Sequence, residues 1–313
     1  MQLYLQNNSI FCKLSDTIFM TIMYTETKMV KKAAVINDLS GFGKCSLTAS
    51  IAVLSVMGIQ PCPVPTAILT NQTGYENYYS CDFSKHMHNY TDIWKQNDVS
   101  FDGIYSGYVS SAQQTDIISD FISTFKKSYT QVLVDPVMAD DGKIYSAYNS
   151  TTCKKMCELI KKADIITPNL TELCIISGQD YGELVKKSDD KNYLEIIANL
   201  AKKTVSEICP SVIVTGIKKD SFIYNGVFTA NENFFVKSKQ YGDSFSGTGD
   251  IFASVICGCI LNGINIKTAV NIAAEFLEKA ILDTIKTDYD KNDGVNFEKY
   301  LYTLANKGGR HEQ

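Results

Sequence analysis

The sequence predicts an α/β protein, built on a central, mostly parallel sheet with helices on both faces. Three observations predict it. Strand-like and helix-like runs alternate along almost the whole chain, the pattern of repeated strand–helix–strand units. No long Pro/Gly/Ser linker interrupts that alternation, and no repeat with a period of about 20–50 residues appears. The glycine- and carboxylate-rich segments fall where strand-like runs end, and ligands of such sheets gather at the carboxyl ends of the strands.

In chain order, KKAAVIN (31–37) is a β-rich run that opens the sheet. CSLTASIAVLSVMG (45–58) is a helix candidate closed by Gly58, a residue suited to a left-handed cap. CPVPTAIL (62–69) is extended and apolar. SKHMHNYTDIWKQND (84–98) reads as a helix with Ser84 as its cap and Met87, Ile93 and Trp94 as core contacts. FDGIYSGY (101–108) is the next strand and turn. In AQQTDIISDFISTFKK (112–127), Ile117, Ile118, Phe121, Ile122 and Phe125 recur at helical spacing. QVLVDPV (131–137) is a short buried strand ending in Asp135-Pro136. TTCKKMCELIKK (151–162) is helical, and ADIITPN (163–169) is a strand and turn. NYLEIIANLAKKTVSEIC (192–209) is a helix and PSVIVTG (210–216) a strand. SFIYNGVFTANENFFVKSK (221–239) reads as a hairpin. Helices at about 250–263 and 266–286 close the core. Residues 29–313 are expected to form a single domain. Residues 1–28 are expected to be an N-terminal extension, disordered or a peripheral arm, because the first sheet run begins only near Lys32.

The chain has 313 residues, 45% of them hydrophobic, so a sizeable core is available. Its formal net charge of -4 is spread along the chain, which argues against a nucleic-acid surface or a polybasic membrane surface. The 10 cysteines include no CxxC pair, and the only histidines are His86, His88 and His311, so a structural zinc site is not expected. Scattered thiols of this kind suit a reducing cytoplasm. No apolar run approaches the roughly 20 residues of a membrane span. The patch at 17–24 is broken by Thr17 and Thr21, which argues against a signal peptide.

Three segments carry chemistry. In SFSGTGDIFAS (244–254), a glycine turn becomes a helix with Asp250 near its N-terminus, where free N–H groups attract anions. Two readings fit: an aspartate stabilising its own helix, or a base beside an anion hole. SGFGKCS (40–46) has one residue between its glycines, so it is neither GxxxxGK[ST] nor GxGxxG, and its spacing alone suggests a flexible strand-to-helix turn. DPVMADDG (135–142) offers Asp135, Asp140 and Asp141, and TPNLTE (167–172) offers Asn169 and Glu172. Carboxylates clustered at strand ends suit Mg²⁺, which takes oxygen ligands and keeps several waters. The alternative is that Asp135 fixes the turn before Pro136 and the others are solvated.

With these segments in this order, the chain resembles the ribokinase-like superfamily of small-molecule kinases. GTGD (247–250) resembles that superfamily's signature, and DPVM with TPNLTE resembles its vitamin-kinase branch. TNQTGYENY (70–78) and SGYVSSAQQ (106–114) are similar to segments of pyridoxal/pyridoxamine kinases. The resemblance runs from about Lys32 to about Thr284. It implies ATP-dependent phosphorylation of the hydroxymethyl group of a B6 vitamer, with Asp250 as base. It implies that Gly247, Thr248 and Gly249 stabilise the transferring phosphoryl through their N–H groups. Asp135 and Glu172 would hold Mg²⁺, largely through water, with K⁺ a further candidate ion. Asn169 would lie near the phosphates, Thr215 and Gly216 would line the nucleotide, and Asp38, Thr73 and Tyr108 would approach the vitamer. A homodimer is expected from the resemblance alone.

Two positions depart from that pattern. Asp38 stands where many pyridoxal kinases have Ser, and Gln72 where His is common. Hydroxymethylpyrimidine kinases share DPVM and TPN, and their usual GSDxxGGAG-type loop matches NDLSGFG (37–43) poorly. A pyrimidine kinase of thiamine synthesis is therefore the second expectation. A non-catalytic vitamin-binding or regulatory protein on the same fold is the third.

Overall fold

The computed structural model describes residues 30–146, 148–242 and 244–305, so the expectation for residues 1–28 lies outside the described residues. Everything below concerns the compact unit Lys31–Gln313. Its strands are β1 (Lys32–Ser40), β2 (Gln60–Leu69), β3 (Ser80–Asp82), β4 (Gly103–Ser106), β5 (Gln131–Val134), β6 (Ala139–Asp140), β7 (Lys143–Ile144), β8 (Ile165–Ile166), β9 (Ser211–Lys219), β10 (Phe222–Thr229) and β11 (Asn233–Lys239). Its principal helices are α1 (Ser46–Val56), α2 (Ser84–Gln96), α3 (Ala112–Phe125), α4 (Ser150–Leu159), α5 (Leu170–Ser177), α6 (Tyr181–Val185), α7 (Tyr193–Glu207), α8 (Thr248–Leu261) and α9 (Ile266–Thr284).

One sheet runs in the order β11-β10-β9-β8-β5-β4-β1-β2-β3, and β6 and β7 form a separate small hairpin. The strands from β9 through β2 pair in parallel. β10 and β11 at one edge and β3 at the other are antiparallel. The mostly parallel sheet is as the sequence predicts.

The apolar run of β1 shows why helices cover both faces. Side chains alternate across a strand, so a strand buried on both sides is apolar at every position. Ala34 and Ile36 join a core with Met87 of α2, Ile118 and Phe121 of α3, Met156 of α4, Leu173 of α5 and Ile197 of α7. Ala33 and Val35 join a second core with Leu47 and Val53 of α1, Ile251 and Val255 of α8 and Val270 of α9. All five periodic residues of α3 are buried, as their spacing predicts.

Local details differ from the sequence reading. β1 runs on to Ser40, so Asn37 and Asp38 lie within the strand. Its register against β2 shifts between Asn37 and Leu39. Ser84 is the first helical residue of α2 behind a Phe83 cap, and Ile93 is exposed rather than a core contact. The turn expected at the end of ADIITPN is a helix start: Asn169 caps α5, with a reciprocal bond pair to Glu172.

Candidate active site

The turn before α8 follows from Gly247. Its φ of 77° is left-handed, and an added Cβ would lie 2.1 Å from the Lys44 carbonyl oxygen, so only glycine fits. The chain enters α8 at once, and Asp250 falls in its first turn. The first N–H groups of a helix have no intrahelical partner, so those of Thr248 and Gly249 are open to an anion. Thr248 turns its hydroxyl back to the Phe245 carbonyl at 3.0 Å.

Asp250 is partly buried. Its Oδ1 accepts from Asn37 Nδ2 at 3.0 Å. Burial pushes its carboxyl up to about 6, the nearby Asp38 charge adds to this, and the Ser46 N–H and Asn37 amide oppose it. Ser46, at the start of α1, has a φ of 50°, an uncommon value for serine. The N-termini of α1 and α8 therefore meet at one carboxylate. Cys45, just ahead of α1, is buried there, and burial together with Asp250 and Asp38 pushes its thiol up to about 12. It is inert rather than nucleophilic.

The second pair of carboxylates lies deeper. Asp135, just past β5, accepts from the Thr167 hydroxyl at 3.0 Å. Burial, with the Asp250 charge, pushes it up to about 7. Glu172 takes the Met138 N–H on Oε1 and the Asn169 N–H on Oε2, each at 2.9 Å. Burial and the Asp135 charge still raise its carboxyl well above the usual range. Asn169 accepts from Glu172 N at 3.0 Å and donates to the Ala139 carbonyl at 2.7 Å, so its side chain is committed to the framework. Thr215 pairs with Asn169 in an isolated parallel bridge. Gly216, at a φ of 66°, donates its N–H to Asn225 Oδ1 at 3.1 Å.

On the other side of Asp250, Asp38 is buried and accepts from the Ser40 hydroxyl at 2.8 Å. Burial raises its carboxyl, and hydrogen bonds from Ser46 and Ser40 oppose the rise. Tyr108 follows β4, and burial, then the charges of Asp38, Tyr78 and Asp82, push its hydroxyl up to about 12. Thr73 is exposed on the β2–β3 loop. Its neighbours anchor that loop: Gln72 Nε2 donates to the Asn292 carbonyl at 3.1 Å, and the Tyr75 hydroxyl donates to Asp293. The structure thus joins Asp38, Tyr108, Asp135 and Asp250 by contact or charge, and Asn169, Glu172 and Thr215 by hydrogen bonds. Thr73 makes no hydrogen bond to them.

Residues 43–295 match the model of the phosphomethylpyrimidine kinase family. The chain belongs to that family. A candidate phosphomethylpyrimidine kinase of Bacteroides thetaiotaomicron, in a crystal form with pyridoxal, is 35% identical, covers 88% of this chain and 96% of its own, and superposes with a TM-score of 0.82. A pyridoxine/pyridoxal/pyridoxamine kinase of Bordetella avium is 23% identical over 79% of this chain and 83% of its own. The pyridoxal kinase of Leishmania donovani, solved with ADP and pyridoxamine, shares the fold at 19% identity and a TM-score of 0.77, covering 88% of this chain and 95% of its own. The resemblance to ribokinase-like vitamin kinases holds, and the chain is a small-molecule kinase.

Two residues of this kinase escaped the sequence reading. Asn37 is fully buried and bonded to Asp250. The one signal for it was a polar residue ending the apolar run AAVI. Tyr145, beyond the β6–β7 hairpin, has its hydroxyl pushed far up by burial and by the charges of Glu172, Asp140, Asp135 and Asp250. No spacing rule links it to those residues. The Asn169–Glu172 cap was legible, because N-x-x-E before an apolar run is a helix start.

Proposed function

We propose that this kinase transfers the γ-phosphoryl group of ATP to the hydroxymethyl group of a B6 vitamer. The observation that carries the reading is the position of Asp250. It directly follows the Gly-Thr-Gly turn and is joined through Asn37 to Asp38 and Tyr108, and its carboxyl, raised to about 6, is matched to proton uptake near neutral pH. The bound pyridoxal of the Bacteroides relative supports the vitamer class.

In this reading Asp250 takes the hydroxyl proton as the hydroxymethyl oxygen bonds to the γ-phosphorus. The bond to the β,γ-bridging oxygen breaks, and that oxygen leaves on ADP. The N–H groups of Gly247, Thr248 and Gly249 receive the charge on the transferring group, a preorganised role that needs no covalent help. Asp38 meets a polar ring substituent, and Tyr108 and Thr73 flank the ring. Thr215 and Gly216 line the nucleotide, with Asn169 holding their strand against α5.

Asp135 and Glu172 fit a hydrated Mg²⁺. Among the described residues no group of three or more His, Cys, Asp or Glu is arranged to bind a metal directly. Mg²⁺ needs only one or two carboxylates beside water and phosphate. Two buried carboxyls raised by burial and by neighbouring carboxylate charge, Asp250 on Asp135 and Asp135 on Glu172, are a place where a cation is favourable. When bound, it would neutralise phosphate charge. The reading places the kinase in the cytoplasm, supported by free thiols such as those of Cys45, Cys62, Cys153 and Cys209. Its assembly as a homodimer rests on the resemblance alone. No helix among the described residues is long and apolar enough to cross a membrane.

The family's own description favours a second reading, a hydroxymethylpyrimidine kinase. The test is turnover with ATP and Mg²⁺ on pyridoxal, pyridoxamine, pyridoxine and hydroxymethylpyrimidine. A B6 vitamer is expected to lead in kcat/KM. A lead of about tenfold for the pyrimidine, near 1.4 kcal/mol, moves the assignment to the second reading. Binding without turnover on any of them leaves the vitamin-binding protein.

A further inference from the structure

We propose that Asn37 is a positioning residue that fixes Asp250 and ties it to the substrate pocket, an inference that rests on Asp250 being the base. Asn37 has no exposed surface. Its three side-chain hydrogen bonds all go to the site: Nδ2 donates to Asp250 Oδ1 at 3.0 Å, and Oδ1 accepts from Asp38 N at 3.0 Å and Tyr108 N at 2.9 Å. The two backbone donors decide which way the amide points. Flipping it would set N–H against N–H and oxygen against carboxylate.

The surrounding backbone is shaped to this one side chain. A Cβ on Gly107 would lie 2.5 Å from Asn37 Nδ2, so the glycine of the Ser-Gly-Tyr segment makes room for it. The register shift of β1 against β2 occurs at the same place, and such irregularities re-aim side chains next to active sites. Residue chemistry is equally constrained. An aspartate would keep the two accepted bonds but set a second carboxylate against Asp250. A glutamine would need a further methylene where the space is closed. One buried amide thus binds the base with one end and, with the other, the backbone of both Asp38 and Tyr108. A vitamer that orders Asp38 and Tyr108 orders the base through the same group.

The experiment compares Asn37→Asp and Asn37→Ala in the wild-type background and in Asp250→Asn, reading kcat, vitamer KM, ATP binding and thermal unfolding. Asn37→Asp is expected to lower kcat by at least about a hundredfold, the scale of a misplaced general base. Its vitamer KM should stay within about threefold, since the acceptor for Asp38 and Tyr108 remains. Asn37→Ala loses both ends, so kcat falls and KM rises together. In the Asp250→Asn background, Asn37→Asp should cost no further kcat, because the two positions act as a unit. If Asn37→Asp does not fold, as judged by ATP binding, Asn37→Ala in the two backgrounds makes the same comparison. Equal fold-losses in both backgrounds, or a kcat within about threefold of wild type, would overturn the proposal. Near wild-type turnover of Asp250→Asn itself would instead remove the base reading, and the role of Asn37 with it.

Discussion

At Asp250 two opposing effects meet. Burial and the Asp38 charge favour the protonated carboxyl, while the Ser46 N–H and the Asn37 amide favour the carboxylate, and the balance stands at about 6. A base must be ionised to accept a proton, so kcat/KM is expected to fall as pH drops through about 6. Asp250→Asn should lose that acid limb and about 10²–10⁴-fold in kcat, with ATP binding retained. A surviving acid limb in the mutant would assign it to another group. Asp38 offers a second test at the same scale. Held by Ser40 and Ser46, its carboxylate favours an ammonium or a protonated ring nitrogen over an aldehyde through a charge-assisted bond. Pyridoxamine is therefore expected to be used better than pyridoxal, and Asp38→Ser should narrow the ratio of their kcat/KM values. An unchanged ratio would mean that Asp38 does not read the substrate.

The start of α8 and the start of α5 solve different problems with similar means. At α8, Gly247 supplies a left-handed turn pressed against the Lys44 carbonyl. In Gly247→Ala the left-handed residue alone costs about 1–2 kcal/mol. The clash falls on backbone, which cannot yield as a side chain can. A lower Tm and a loss of kcat greater than any rise in ATP KM are expected. At α5, Glu172 both caps the helix with Asn169 and faces Asp135. Asp135→Ala and Glu172→Ala should both raise the Mg²⁺ needed for half-maximal rate. Glu172→Ala should also lose the more stability, on the order of 1–3 kcal/mol, because it leaves the Met138 and Asn169 N–H groups without their acceptor, whereas Asp135→Ala strands only the Thr167 hydroxyl. An unchanged metal titration in both would leave them as structural residues.

The whole molecule carries the cost of its buried carboxyls. Asp135 titrates at about 7 in the folded state against an ordinary 3.8. The folded protein then keeps a proton that the unfolded chain has released. The associated stability is full below about 3.8 and is lost as pH rises through about 7. Metal-free protein should therefore gain Tm relative to Asp135→Asn on going from pH 8 to pH 5, and Mg²⁺ should raise the wild-type Tm most at pH 8. A wild-type-minus-mutant Tm that does not move with pH would contradict this. A chain shortened to begin at Met29 is expected to fold and turn over, since β1 opens at Lys32 and Lys31–Gln313 is a compact unit. Loss of soluble, active protein on that truncation would show that the preceding segment is structural.

By itself the sequence determined the sheet and its two coats of helices. Apolar runs such as AAVI and the period of α3 are local signals, and burial on two faces or one follows from them directly. The Gly-Thr-Gly-Asp turn was equally legible, because a left-handed glycine leading into an apolar helix is written in adjacent residues. Tertiary structure alone decided which groups share the crevice. Asn37 and Asp250 are 213 positions apart, and nothing in the spacing of either links them. Their hydrogen bond exists because β1 and α8 are neighbours across one face of the sheet, and the chain closes that distance only on folding. The same holds for the raised carboxyls of Asp135 and Glu172. Their shifts come from lost water and from a neighbouring carboxylate, Asp250 for Asp135 and Asp135 for Glu172, properties of a place rather than of a residue.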